Sequence, residues 1–171
     1  MADLIVGISG RLAAGKTTLA RFLERNGYTY GRYSRIIDDM LREEGAAPDR
    51  ASRQSLGERI HSHGRQNELS KRLLERTGDR GPVVIDGLRF PEDHEFWADR
   101  KNSFFVHIHV DTSDETRRRR FETREGSSFM EADAAVVERM IPELEGLARY
   151  RLENEGTIEE LEMRARRLLD L

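Results

Sequence analysis

Cysteine is absent from this chain of 171 residues. Its absence excludes disulfides and thiolate metal sites, and makes a reducing compartment the expected home. No apolar run is long enough to cross a bilayer. Met1-Ala2-Asp3 runs directly into an apolar stretch, so no secretory leader is expected and the protein is read as cytoplasmic. A strong charge of one sign is missing too. The net charge of −3 gives no bulk electrostatic case for nucleic acid or a membrane surface. Linkers, internal repeats and low-complexity blocks are lacking, so one domain over 1–171 is expected. Apolar residues make up 37% of the chain and charged residues 36%, which describes a real core under a heavily solvated surface.

One segment carries most of the chemistry. Residues Gly10 to Thr17 read GRLAAGKT, directly after the apolar run Leu4–Ser9 and directly before a helix-like stretch. This is G-x-x-x-x-G-K-[ST] in its required setting of strand, loop and helix. Gly10 and Gly15 let the backbone turn its N–H groups inward as an anion nest, and the helix that follows adds its positive end. Ala13, Ala14 and Thr18 complete the cradle. Lys16 is placed to reach the outer phosphates, and Thr17 to put its hydroxyl on Mg²⁺. The loop is a site for a nucleoside triphosphate.

Around it the pattern alternates strand and helix. Strands are read at Leu4–Ser9, Tyr28–Tyr33, Pro82–Asp86, Phe104–Val110 and Tyr150–Glu153. Helices are read at Thr17–Arg25, Arg35–Glu44, a long polar region Ala51–Arg76 broken at Gly64, Pro91–Arg100, a helix opened by a capping box of Thr112 and Glu115, Glu131–Leu147 with an internal Pro142, and a last helix from the Thr157–Glu160 capping box to Leu169. The fold class is therefore α/β, a parallel sheet with helices on both faces. Ligands in such sheets sit at the carboxyl ends of the strands.

Further candidates cluster there. Asp86 ends the apolar strand PVVID, where an acid holds Mg²⁺ through water or orients the attacking oxygen. Arg89, in DGLRFPED, is suited to grip an acceptor phosphate with two hydrogen bonds. In DTSDETRRRRFETREG, Arg117, Arg120 and Arg124 share one helical face and are read as a lid over the phosphates. Arg118 and Arg119 each have a glutamate four residues away and need no such role. Ser34 and Asp38, in YSRIIDDM, and Arg53 beyond them are candidate acceptor contacts, with Ser34 also suited to cap a helix. His107 and His109 share a strand face. With no third ligand apparent they are read as packing or surface groups rather than a metal site, and His61, His63 and His94 carry no usable signal.

Taken together, GRLAAGKT, RYSRIIDDMLREEG, VVIDGLRFPEDHEF, DTSDETRRRRFETR and ENEGTIEEL resemble the P-loop nucleoside and nucleotide kinases, above all dephospho-CoA kinase-like proteins and phage-type deoxynucleoside monophosphate kinases. The resemblance spans nearly the whole chain. It implies a three-layer fold with a five-stranded parallel sheet, an acceptor-binding helical region near 34–78, a short arginine-bearing lid near 112–130, and an adenine lying near Asn154-Glu155-Gly156. It further implies an ATP- and Mg²⁺-dependent phosphotransferase with a small nucleotide-like acceptor. Two departures stand out. Leu12-Ala13-Ala14 replaces the Gly or Ser of many relatives, and DGLRFP carries one residue more between acid and arginine than the deoxynucleotide kinases do. A (deoxy)nucleoside monophosphate is the expected acceptor. The alternatives are dephospho-CoA, a polynucleotide, or ATP sensing without turnover.

Overall fold

The computed structural model describes residues 3–78, 80–125, 129–133 and 140–171. Strand β1 (Asp3–Ser9) is central. It pairs in parallel with β3 (Val83–Asp86) on one side and β4 (Ser103–Asp111) on the other. β2 (Thr29–Arg32) and β5 (Tyr150–Glu153) complete a parallel sheet of order β2-β3-β1-β4-β5.

The side chains follow the period-two alternation of a strand. Ile5, Val83 and Ile85 face a cluster with α2 (Tyr33–Glu43), α3 (Arg50–Ser62), α4 (Gln66–Thr77), α5 (Pro91–Ala98) and α8 (Ile141–Leu147). Val6, Ile8, Val84, Val106, Ile108 and Val110 face a second cluster with α1 (Lys16–Arg25) and α9 (Ile158–Leu169). β3 is buried along its whole length. A strand covered on both faces reads as an unbroken apolar run, as VVID does. The remaining helices are α6 (Asp114–Glu125) and the short α7 (Phe129–Asp133).

The expected parallel sheet with helices on both faces is present. The predicted break near Gly64 is present too: that residue has φ of 64° between α3 and α4. Three local expectations need correction. Tyr33 opens α2 rather than ending β2, because its ring is buried and its hydroxyl is shared with Ser70 and the Trp97 indole N–H. Ser34 therefore lies in the first turn and does not cap the helix. Thr112 does not cap α6 either. Its hydroxyl donates to Ala14 O, and Ser113 Oγ accepts from the Thr116 amide instead. Pro142 stands in the first turn of α8 rather than inside a longer helix, a position where its missing N–H costs nothing. Residues 134–139 of that predicted helix lie outside the described part.

A buried carboxylate fixes the loop after β3. Asp93, at the start of α5, accepts from the Arg89 and Phe90 amides and from Gln66 Nε2, at 2.8, 3.0 and 2.7 Å. Burial pushes its pKa up to about 6. A folded value above the ordinary 3.8 means the native state keeps a proton that the unfolded chain has released. Asp93 thus adds to stability below about pH 4 and loses that contribution as pH rises through about 6. The difference in unfolding free energy between wild type and Asp93→Asn is expected to shrink by roughly 1–3 kcal/mol from pH 4 to pH 7. Urea melts at the two pH values measure it, and a difference that grows refutes the assignment.

Candidate functional site

The phosphate-binding loop runs from the end of β1 to the start of α1. Gly10, Ala13 and Gly15 take positive φ of 146°, 60° and 104°. A Cβ on Gly10 would stand 2.5 Å from Val110 O, and one on Gly15 would stand 2.2 Å from Asn154 Nδ2. Glycine is required at both for space as well as for conformation. Lys16 is buried, and its Nζ donates to Gly10 O at 2.6 Å and Arg11 O at 2.8 Å. The ammonium is thus curled into the mouth of the loop. From outside, Ala14 O accepts from Asn154 Nδ2 and Thr112 Oγ1, at 2.8 and 2.9 Å. Thr18 follows in the first turn of α1.

Thr17 Oγ1 donates to Asp86 Oδ2 at 2.8 Å. The contact follows from register: Ile8 of β1 pairs with Asp86 of β3, and the Gly87 and Leu88 amides donate to Ile8 O. Two residues that sequence reasoning missed join this carboxylate. The Tyr30 hydroxyl donates to it at 2.7 Å, and Arg32 Nε lies 3.6 Å away. Arg32 is the register partner of Asp86. Burial and the facing Asp86 charge raise the Tyr30 phenol, which stays protonated as a donor. Arg21 and Arg35 stack on the Tyr30 ring at 4.1 and 5.2 Å from its centroid. The only hint in the sequence was the aromatic and basic run TYGRYSR at the end of a strand.

The other predicted residues fall into three groups. Asp38 and Arg53 are brought together as an ion pair between α2 and α3, with Arg53 Nη2 3.1 Å from Asp38 Oδ2. Ser34 lies half-buried on α2, and Arg89 half-buried in the loop that Asp93 holds. On α6, Arg120 Nη2 donates to Gly156 O at 3.2 Å, which joins the predicted lid to the predicted adenine loop. Arg117 differs from the spacing argument that left it without a partner. It is fully buried and ion-paired with Asp114 and Asp133, and it donates to Leu12 O at 3.1 Å. The overlooked partners are an i−3 acid and an acid on α7. The side chain of Arg124 lies outside the described part.

A glycine-rich loop closed on a lysine, a hydroxyl and carboxylate converging at the ends of β1 and β3, and the strand order 2-3-1-4-5 define a P-loop protein with the fold of the P-loop kinases. The chain belongs to the AAA domain family, whose pattern it matches over residues 6–139. It is similar to a UPF0200 protein of Pyrobaculum aerophilum, at 29% identity over 96% of each chain. It is also similar to a UPF0200 protein of Aeropyrum pernix, at 27% identity over 96% of this chain and 91% of the other. Among solved structures it resembles TT1252 from Thermus thermophilus, with TM-score 0.68, 24% identity and coverage of 99% and 98%. It resembles shikimate kinase from Bacteroides thetaiotaomicron, with TM-score 0.62, 18% identity and coverage of 98% and 99%. It likewise resembles dephospho-CoA kinase from Campylobacter jejuni, with TM-score 0.61, 15% identity and coverage of 97% and 95%. Among the described residues no helix is long and apolar enough to cross a membrane.

Ala13 holds a left-handed conformation that costs an L-residue about 1–2 kcal/mol. Ala13→Gly is expected to raise the stability of the protein by about 0.5–1 kcal/mol, the relief of strain being partly offset by a more flexible unfolded chain. Thermal or urea unfolding checks this, and a loss of stability would show that the Ala13 methyl group contributes packing that outweighs its strain.

Proposed function

We propose that this chain is an ATP-dependent phosphotransferase with a (deoxy)nucleoside monophosphate as acceptor. The observation that carries the proposal is the convergence of Lys16, Thr17, Asp86 and Arg32 at the ends of adjacent parallel strands. The loop amides and Lys16 hold the donor phosphates. Thr17 and Asp86 fit a Mg²⁺ ion by chemistry, offering a hydroxyl and a carboxylate oxygen 2.8 Å apart. When bound, that ion screens the phosphate charges and orients them. The compartment this reading calls for is the cytoplasm, in keeping with a chain free of cysteine.

An oxygen of the acceptor forms a bond to the γ-phosphorus as the bond to the β,γ-bridging oxygen breaks, and ADP leaves with that electron pair. A monophosphate is largely dianionic at neutral pH, so its attacking oxygen has no proton to give up. Asp86 then acts by positioning rather than as a general base. Two anions must be brought together, and the work is electrostatic. Arg32 beside Asp86 and Arg89 on the next loop supply the charge for the acceptor. Arg120 on α6 supplies charge over the donor, and Arg124 is proposed beside it. Asn154 and Gly156 form the proposed adenine side. Ser34, with the Asp38–Arg53 pair, borders the acceptor. Arg117, which ties α6 and α7 to the loop, contributes by holding the cradle in shape.

Fold alone does not choose the acceptor, since shikimate kinase and dephospho-CoA kinase resemble this chain about equally. The arginine at the end of β2 favours an acceptor that is anionic at its reacting group. Dephospho-CoA would present a neutral ribose hydroxyl there.

Lys16→Ala is expected to lower kcat by about 10²–10⁴-fold in folded protein, since the lysine acts on developing phosphate charge. Arg89→Ala is expected to raise the acceptor KM about ten- to a hundredfold, the value of a charge-assisted hydrogen bond, with the ATP KM nearly unchanged. Purified protein with ATP, Mg²⁺ and each of a panel of monophosphates, dephospho-CoA and shikimate, followed by product separation, tests both. Transfer to dephospho-CoA alone would overturn the acceptor. Tight ATP binding without transfer to any acceptor would make the chain an ATP-sensing module.

A further inference from the structure

The sheet face beneath α5 and α8 carries a line of polar groups that phosphoryl transfer does not use. His107 and His109 stand two apart on β4, and Ser9 is the register partner of His109. Ser9 Oγ lies 2.9 Å from His109 Nδ1 and 2.7 Å from His107 Nε2. His107 Nδ1 in turn lies 2.9 Å from Nδ1 of His94 on α5. Burial keeps these imidazoles neutral: His107 is pushed down to about 3, and His94 and His109 are also lowered.

A neutral imidazole has one donor and one acceptor. The chain therefore has two self-consistent proton orders. In one, His94 donates to His107, His107 to Ser9, and Ser9 to His109, whose own proton sits on Nε2. In the other, every bond is reversed and His109 Nε2 is a bare acceptor.

That last atom decides what the chain is for. His109 is 3% exposed, and it lines a cavity of about 280 Å³ beside the phosphate-binding loop. Its Nδ1 is occupied by Ser9, which leaves Nε2 as the polar atom of the ring without a partner among the described residues. The three carboxylates of the wall, Asp111, Asp114 and Glu145, are each ion-paired, the first and last with Arg151 and Asp114 with Arg117 and Arg11. The wall is therefore close to neutral, with no arginine among its described residues left over to hold a phosphate as proposed for Lys16, and it suits an uncharged group. Ile141 and Pro142 add apolar surface for a ring to lie on.

We infer that this cavity binds a neutral, ring-sized group bearing O–H or N–H functions, a nucleobase or a sugar, and that His109 Nε2 reads it as donor or acceptor according to the proton order of the Ser9–His107–His94 chain. The inference builds on the phosphotransferase reading, as the site for the part of the acceptor remote from its phosphate, but its test needs no turnover. Protein labelled with ¹⁵N-histidine is titrated separately with adenosine, thymidine and myo-inositol, which distinguish a base from a polyol. One class is expected to move the ring nitrogens of His109 and His107 together. In Ser9→Ala the chain is cut, and the same probe is expected to move His109 but not His107. His109→Asn places an amide where Nδ1 was and keeps the Ser9 bond, and it is expected to weaken binding about tenfold. His109→Gln places its amide near Nε2 and is expected to bind within a few-fold of wild type. The inference is overturned if no probe moves His109, if His107 still follows in Ser9→Ala, or if folded His109→Asn binds like wild type. ATP binding, followed on the same samples, tests the Lys16 cradle on its own, so the two readings fail separately.

Discussion

Because β1 is flanked by parallel neighbours on both sides, its last residues are held from two directions. Ile8 pairs with Asp86 on β3 and with Ile108 on β4, and Ser9 pairs with His109. The chain leaves this clamp directly into Gly10. Where the phosphate-binding loop begins is thus fixed by ladder hydrogen bonds and not by the loop itself. The same clamp holds Asp86 in place, and the loop, turning through its positive-φ Gly10, Ala13 and Gly15, brings Thr17 back against it. Removing a pairing partner would move both ends of the site at once, so the geometry of the site is inseparable from the register of the sheet.

The loop itself poses a different problem. A nest that turns its amides inward must turn carbonyls outward, and a buried carbonyl needs a donor. Ala14 O finds two, from Thr112 at the end of β4 and Asn154 at the end of β5. Leu12 O accepts from Arg117. Gly10 O and Arg11 O accept from Lys16 itself. The outer wall of the cradle is therefore built from segments far away in sequence. On the proposed function, a lysine that satisfies loop carbonyls would have to leave them to meet a phosphate, linking binding to a local rearrangement of the mouth.

This division explains what could be read from the sequence. The loop, its flanking strand and helix, and the strand ending in Asp86 are local patterns, and local patterns survive in one dimension. The alternation of apolar segments likewise revealed the parallel sheet. Tyr30, Arg32, Asp93 and the Ser9–His107–His109 line were not legible, because each gains its meaning from register or from packing across 13 to 100 positions. Thr112 shows the reverse error. Its local capping pattern was genuine, but a buried carbonyl made a stronger demand on its hydroxyl than a helix end that Ser113 could serve. Arg117 was misjudged for a related reason, since an argument from spacings of four residues overlooked both Asp114 and the distant Asp133.

The arginines can be ranked by what it would take to move them. Arg117 has no exposed surface and two carboxylates, an exposed Asp114 and a half-buried Asp133, and removing them would leave a buried guanidinium without its counter-charge. Its charge is already neutralised, so it is poorly suited to follow a phosphate during transfer. Arg32 pairs with Asp86 at 3.6 Å with 41% of its side chain exposed, a contact that solvent weakens and an incoming anion can replace. Arg120 gives one of its nitrogens only a carbonyl, Gly156 O, so its full charge is not offset there. Arg32 at the end of β2 and Arg120 on α6 thus carry positive charge that is only weakly engaged, in a protein of net charge −3. The field at the carboxyl ends of the strands is set by such nearby groups rather than by the total charge.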